Sequence, residues 1–288
     1  MSCKVVFVVL HFETLEDTKK CIDSLIKYFD NDKIQVIVVD NGSSNGKLIK
    51  IEPMYKKHNQ IKFIYSSKNL GFAKGNNLGF LYAKNNFNPE IIVLANNDLI
   101  FKQENFIDYL IKAKNIEKFD VAGPRIISLN DSKNQNPVCL VYHKSKEVET
   151  RINKFRILKL LSYFNLDIKL KKILGKPIEE YELIPGEDFQ LHGACMFFAN
   201  NYLKMYDGLY DGTFMYGEEF ILKYIVQKNK MKMSYLDNLI VYHKEGSSTK
   251  KLLGKGKKQR QFFYRWSIKS LNQLKIMMKT DESDEAKI

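Results

Sequence analysis

Five short runs rich in Val and Ile, at Val5 to Leu10, Gln35 to Asp40, Ile61 to Ser66, Ile91 to Ala95 and Val121 to Gly123, recur through the first 130 residues with amphipathic stretches between them. That alternation predicts βα units around a mainly parallel central sheet, and the near-continuous Val and Ile content predicts strands covered on both faces. Between the first two runs, Thr14 and Asp17 stand at capping-box spacing ahead of Ile22, Leu25, Ile26 and Phe29 on one helical face. The alternation stops near Asn130. A second ordered block, Leu191 to His243, predicts a strand at Ala194 to Ala199, a helix from Glu218 to Lys228 and a strand at Met231 to Leu236. Gln259 to Lys279 reads as a basic amphipathic helix.

The 288 residues suffice for one large or two small domains, and 44% apolar with 27% charged residues excludes wholesale disorder and a polytopic membrane protein. The apolar run Val5 to Leu10 is far short of the ~20 residues of a spanning helix, and no signal peptide is read. Cys3, Cys21, Cys139 and Cys195 are scattered, with no zinc-finger spacing, which suits a reduced, cytoplasmic protein. The net charge of +13 is local. Residues 151–176 carry eight basic and one acidic residue and residues 250–279 ten basic and none acidic, so the rest of the chain is slightly acidic. Such clustering points to surface patches for an anionic partner.

Ligands of open α/β sheets bind beyond the carboxyl ends of the strands, and four successive predicted ends here are polar: His11-Phe12-Glu13, Asp40-Asn41-Gly42-Ser43-Ser44, Asn69 to Asn77, and Asn96-Asn97-Asp98. Each alone fits a helix cap or turn. Standard phosphate motifs are absent: Gly71, Gly75 and Gly79 are spaced four apart rather than G-x-G-x-x-G, and Gly42 to Leu48 lacks a Walker loop's length and hydroxyl.

In order and spacing, these segments resemble the family 2 glycosyltransferases of the GT-A fold, particularly rhamnosyltransferase-like bacterial members. The resemblance runs on through Gly193-Ala194-Cys195-Met196, Met215-Tyr216-Gly217-Glu218-Glu219, Tyr242-His243 and Gly246-Ser247-Ser248. It implies a GT-A domain over 1–248, with a nucleotide-binding half (1–127) and an acceptor-binding, catalytic half (128–248), followed by a basic helical extension (249–288). It also implies an inverting transfer of a sugar from a UDP- or dTDP-sugar to a hydroxyl of a glycan or a polyprenyl-diphosphate-linked acceptor, in bacterial surface polysaccharide biosynthesis.

By the same resemblance, Asn96-Asn97-Asp98 stands where the family has its D-x-D motif, so Asp98, with His243, would hold Mg²⁺ or Mn²⁺ against the leaving diphosphate. Asp40 would read the imide edge of uracil or thymine, and Phe12 would stack on the base. Asn69, Lys74, Asn76 and Asn97 would approach the donor, and Glu13 occupies a donor-site position with its role open. An acceptor hydroxyl needs a base to take its proton; carry-over assigns Glu219, with Glu218 the second candidate. Adjacent carboxylates opening a helix also serve its dipole.

Both basic segments, 151–176 and 250–279, interleave cations with apolar residues: Ile152, Phe155, Leu158, Leu161 and Phe164 in one, Phe262, Phe263, Trp266 and Leu271 in the other. That pattern fits either helices packed into a core or helices on an anionic bilayer; the second would place a cytoplasmic protein peripherally on the inner face of the membrane. A nucleic-acid-binding protein, a nucleotidyltransferase and a catalytically idle relative are the competing readings. The first explains the basic tail but not four polar strand ends, and no specific nucleic acid is expected.

Overall fold

The computed structural model describes residues 4–29, 32–174, 188–245 and 256–285. In chain order these form β1 (Val5–His11), α1 (Leu15–Tyr28), β2 (Ile34–Asp40), β3 (Ile61–Tyr65), α2 (Phe72–Phe87), β4 (Ile91–Asn96), β5 (Leu99–Phe101), α3 (Phe106–Glu117) and β6 (Val121–Ser128). The second half contributes α4 (Ser145–Ser162), α5 (Leu166–Leu174), β7 (Cys195–Ala199), α6 (Asn200–Met205), α7 (Glu218–Lys228), β8 (Met233–His243) and α8 (Lys257–Glu285).

These eight strands make one sheet in the order β3, β2, β1, β4, β7, β6, β8, β5. Strand β1 pairs in parallel with β2 and β4, β2 with β3, and β6 with β8. Strand β7 is antiparallel to β4 and β6, and β5 to β8. Six strands thus share a direction that β5 and β7 oppose. The carboxyl ends of β1, β4 and β8 therefore meet the amino end of β7 at one edge of the sheet.

Alternation along the strands explains why the sheet lies inside. Val5, Phe7 and Val9 of β1 join Val36 and Val38 of β2 and Ile91 and Val93 of β4 in one core, with Ile22 and Leu25 of α1 and Phe106 and Leu110 of α3. Val6, Val8, Ile37, Val39, Ile92 and Leu94 face a second core with Phe80 of α2 and Leu222 of α7. A third core unites Val148, Ile152, Phe155 and Leu158 of α4 with Tyr264, Leu271, Leu274 and Met278 of α8 and Ile221 and Ile225 of α7.

The amphipathic C-terminal helix is present, and its apolar stripe is spent on this third core. Leu271 is buried there, and Arg260 of α8 ion-pairs at 2.7 Å with the fully buried Asp167 of α5. Ile152, Phe155 and Leu158 of the upstream segment are likewise buried. These side chains are not available to a bilayer, whereas Phe164 is. No helix among the described residues is long and apolar enough to cross a membrane.

Strand β8 runs on to His243 rather than ending at Leu236, because an irregularity opposite Pro124 and Arg125 lets pairing resume after the exposed Asp237 and Asn238. Thr14 occupies the N-cap position of α1 without a side-chain cap bond. Its hydroxyl instead accepts a hydrogen bond from Asn97, and Asp17 ion-pairs with Lys244 at 2.7 Å. Cys21 and Cys195 are buried free thiols, and Cys139 is half-buried. Cys3 and Gly246-Ser247-Ser248 lie outside the described residues, as does the expected boundary at 248.

The four-residue glycine spacing of α2 has a packing explanation. A Cβ at Gly79 would collide with Val8 and Val39 side chains, and one at Gly75 would press on Leu10 and Asn41. Gly79→Ala is therefore expected to cost about 1–3 kcal/mol through overpacking, read as a lowered midpoint in urea unfolding; an unchanged midpoint would show that the helix seats less closely on the sheet.

Candidate active site

At the shared edge a cavity opens, lined by Phe12, Asn69, Asn97, Asp98, Glu218, Glu219 and His243 among others. Seven sequence-predicted site residues thus converge from the ends of β1, β4 and β8, the approach to α2 and the start of α7. Glu13, Asp40, Lys74 and Asn76 do not line it.

Each of those four has a local occupation. The Glu13 carboxylate accepts hydrogen bonds from the backbone N–H groups of Ser44 (2.6 Å), Asn45 (3.1 Å) and Gly46 (2.9 Å) and from the Ser44 hydroxyl (2.8 Å). It serves as a fixed anion that folds the loop after β2. Burial opposes its charge, but these donors outweigh that and bring its pKa down to about 2. Asp40 accepts the N–H groups of Ser43 (2.9 Å) and Leu48 (3.0 Å), one on each carboxylate oxygen, in the same loop. A carboxylate has about four acceptor positions, so this pair leaves capacity on Asp40. Asn76 turns back on its own helix, donating to the Phe72 carbonyl at 3.0 Å. Lys74 is exposed in a neighbouring groove with Asp211, Trp266 and Lys269.

The asparagines within the cavity are positioning groups as well. Asn41 donates to Asn69 Oδ1 (3.2 Å) and the Gly71 carbonyl (3.0 Å) and accepts the Leu70 N–H, joining the loops after β2 and β3. Asn97 donates to the hydroxyls of Thr14 (2.8 Å) and Thr18 (2.7 Å), tying the end of β4 to α1.

Asp98 and His243 form the electrostatic centre. Gln135 Oε1 accepts from His243 Nδ1 at 2.8 Å, so in neutral imidazole the lone pair is on Nε2. That Nε2 lies 3.2 Å from Asp98 Oδ1, which is buried and without a hydrogen-bond partner. Either a proton on Nε2 or a bound cation satisfies these facing atoms. The described residues contain no cluster of three or more His, Cys, Asp or Glu able to hold a metal. A hard divalent ion held by one or two protein groups plus substrate phosphates fits this donor set.

His192, absent from the sequence reading, also lines the cavity, with its ring edge-on to His243 at 5.7 Å between centroids. Its Nδ1 accepts the Ala194 N–H at 3.1 Å, which leaves Nε2–H as the donor. Burial, reinforced by His243, lowers its pKa to about 4 and keeps the ring neutral. The available signal was a polar residue directly before Gly193-Ala194 and a buried strand.

The two glutamates enter from a strained turn. Tyr216 has φ 66°, unusual for a non-glycine residue, and with Gly217 at φ 91° it aims the first turn of α7 into the cavity. Glu219 lies against Gly193, where any Cβ would collide with its carboxylate. Thr213 donates to Glu218 at 3.0 Å. Burial raises the pKa of both carboxyls, and repulsion from Glu219 raises that of Glu218 further. The pair is suited to holding or taking one proton near neutrality.

Helix α8 braces this turn. Trp266 stacks on Phe214 at 4.4 Å, Phe263 meets Tyr216 edge-on at 4.9 Å, and Ser270 donates to the Met215 carbonyl at 3.2 Å. Phe262 reaches the cavity itself. These aromatics, for which the sequence leaves both a core and a bilayer open, therefore buttress the site.

The model of the family described as glycosyl transferase family 2 matches residues 5–168, more than half the chain. The low-salt glycan biosynthesis hexosyltransferase Agl10 of Haloferax volcanii is 23% identical over 238 residues, 83% of this chain and 66% of its own length. Among solved structures, S. aureus TarS 1-349 in complex with UDP superposes with a TM-score of 0.54 at 14% identity, covering 84% of this chain and 60% of TarS. The mannosyltransferase PcManGT from Pyrobaculum calidifontis, in complex with GDP-Man and Mn²⁺, gives 0.53 at 13% identity, covering 93% and 68%. This chain thus spans just under two thirds of the length of the Haloferax relative and of the TarS structure.

The Glu13 nest generates a stability prediction. Its folded pKa lies below the ordinary carboxylate value near 4.3, so its contribution is complete above that value and is lost as pH falls towards 2. Glu13→Gln is expected to cost about 2 kcal/mol at pH 7, with the gap to wild type closing between pH 4 and about 2; urea unfolding across that range reads it. A gap independent of pH would show that shape rather than charge holds the loop.

Proposed function

Because the chain belongs to glycosyl transferase family 2 and has the GT-A fold, we propose that it is an inverting, metal-assisted glycosyltransferase. It moves a hexosyl or rhamnosyl group from a UDP- or dTDP-sugar to a hydroxyl of a glycan or polyprenyl-diphosphate-linked acceptor in bacterial surface polysaccharide assembly. The observation that carries this reading is the convergence, in one cavity, of a cation-seeking pair (Asp98, His243) with a proton-accepting pair (Glu218, Glu219). Leaving-group stabilisation and nucleophile activation require those two functions side by side.

Phe12 stacks on the base, and Asp40 accepts its ring N–H through the acceptor positions that Ser43 and Leu48 leave unused. Uracil and thymine offer that N–H. Guanine does too, and the GDP-Man complex of PcManGT makes GDP-sugars the second reading. Asp98 and His243 would hold Mg²⁺ or Mn²⁺, which when bound would neutralise the charge that builds on the departing diphosphate. Asn69 and Asn97 fix the loops bordering the donor, and neutral His192 offers Nε2–H to a donor oxygen.

In the single displacement, Glu219 takes the acceptor hydroxyl proton as that oxygen bonds to the anomeric carbon from the face opposite the diphosphate. The bond from that carbon to the diphosphate oxygen breaks with its electron pair on oxygen, giving inversion and a nucleoside diphosphate. Burial keeps the pKa of both carboxyls high, and Glu219 raises that of Glu218 further. The name of the Haloferax relative supports a glycan product, and a polyprenyl-linked acceptor would place the reaction at the inner face of a cell membrane.

The test is release of nucleoside diphosphate from UDP-, dTDP- and GDP-hexoses, with water or an added glycan as acceptor. Glu219→Gln is expected to lower turnover by about 10²–10⁴ while retaining nucleotide binding. Burial and the Glu219 charge keep Glu218 protonated where Glu219 ionises, so Glu218→Gln should leave the acid limb of the rate profile in place. Full activity in Glu219→Gln, or no sugar-nucleotide turnover by the folded wild type, would overturn the assignment.

A further inference from the structure

Helix α4 is apolar on two sides. Val148, Ile152, Phe155 and Leu158 are buried against α8 and α7. Ile157, Leu160 and Phe164 form a second stripe at i, i+3, i+7, exposed by 57%, 65% and 74%. Tyr163, Leu166 and Ile168 extend it across the turn into α5, where Asn165 adopts φ 57°. Phe164, at the tip of this helix–turn–helix, is the most exposed large apolar side chain among the described residues. A helix whose inner face is already packed gains nothing within the fold from a second apolar stripe.

Charge indicates what covers it. Residues 151–170 carry Arg151, Lys154, Arg156, Lys159 and Lys169 and one acid, Asp167, and Asp167 is buried in its ion pair with Arg260. A second copy docking through this patch would set like charge against like. Lys and Arg flanking a protruding Phe and Tyr match an anionic lipid surface, with the rings in the acyl boundary and the cations among headgroups. We propose that the α4–α5 tip is a docking surface for an anionic bilayer. This goes beyond the glycosyltransferase reading and stands without it.

The position also relates to the cavity. Lys257 of α8 donates to the Tyr163 carbonyl at 2.6 Å, and Phe262, five residues further along α8, lines the cavity. At 1.5 Å per residue that is about 8 Å along the helix, so the tip lies close to the Phe262 side of the cavity.

The experiment is vesicle flotation of the full chain with phosphatidylcholine vesicles, with and without phosphatidylglycerol, at low and high salt. Binding to the anionic vesicles, weakened by salt, is expected. The double variant Leu160→Ser/Phe164→Ser should reduce the bound fraction about tenfold without lowering the melting temperature. Ile116→Ser, at an equally exposed apolar position on α3, should bind like wild type. Absence of flotation with either vesicle, equal loss in the Ile116 variant, or undiminished binding by the double variant would overturn the proposal. So would a concentration-dependent dimer that the double variant abolishes while vesicle binding persists.

Discussion

A sheet whose strands are apolar on both faces must be covered on both faces, which leaves the strand ends as the place where polar side chains can gather. Val5 to Val9 alternate between two cores, and the first polar residues after them, His11 to Glu13, emerge at the edge. Because β7 reverses between β4 and β6, its amino end brings His192 and Gly193 to the carboxyl ends of β1, β4 and β8. One topological reversal therefore assembles a site from residues between 12 and 262 in the chain.

Two kinds of polar group meet there. Glu13, Asn41 and Asn97 have their hydrogen bonds met by backbone or neighbouring side chains, so they shape and stiffen the loops. Asp98 Oδ1, by contrast, is buried without a hydrogen-bond partner, and burial raises the pKa of both Glu218 and Glu219. An unmet acceptor and a crowded carboxylate pair are costly to fold. Their placement in one cavity beside a strained Tyr216 turn is where function outweighs stability.

Much of this was legible in the sequence. The strands through β4, the helix at Glu218–Lys228 and seven cavity residues follow from local periodicity and from motif order. What was not legible depends on distant contacts. Whether Glu13 faces a ligand or a backbone nest is decided by the loop at Ser44 to Gly46, thirty residues away. Lys74 and Asn76 sit in a helix whose rotation is fixed by Gly75 and Gly79 seating against β1 and β2. The amphipathic pattern of α8 reads alike for a core and for a membrane. Only its packing on α4 and on the Phe214 to Tyr216 turn separates them. His192 carries no periodic signal, and its role follows from the Ala194 N–H that fixes its tautomer.

The cation-seeking pair is the feature on which the catalytic assignment turns. The most direct measurement is anomalous diffraction from crystals grown with Mn²⁺ and UDP or dTDP. A manganese peak about 2 Å from both Asp98 Oδ1 and His243 Nε2, with the diphosphate completing its shell, is the expected result. Nucleotide bound in the cavity with manganese absent from Asp98, or manganese bound only elsewhere, would contradict it.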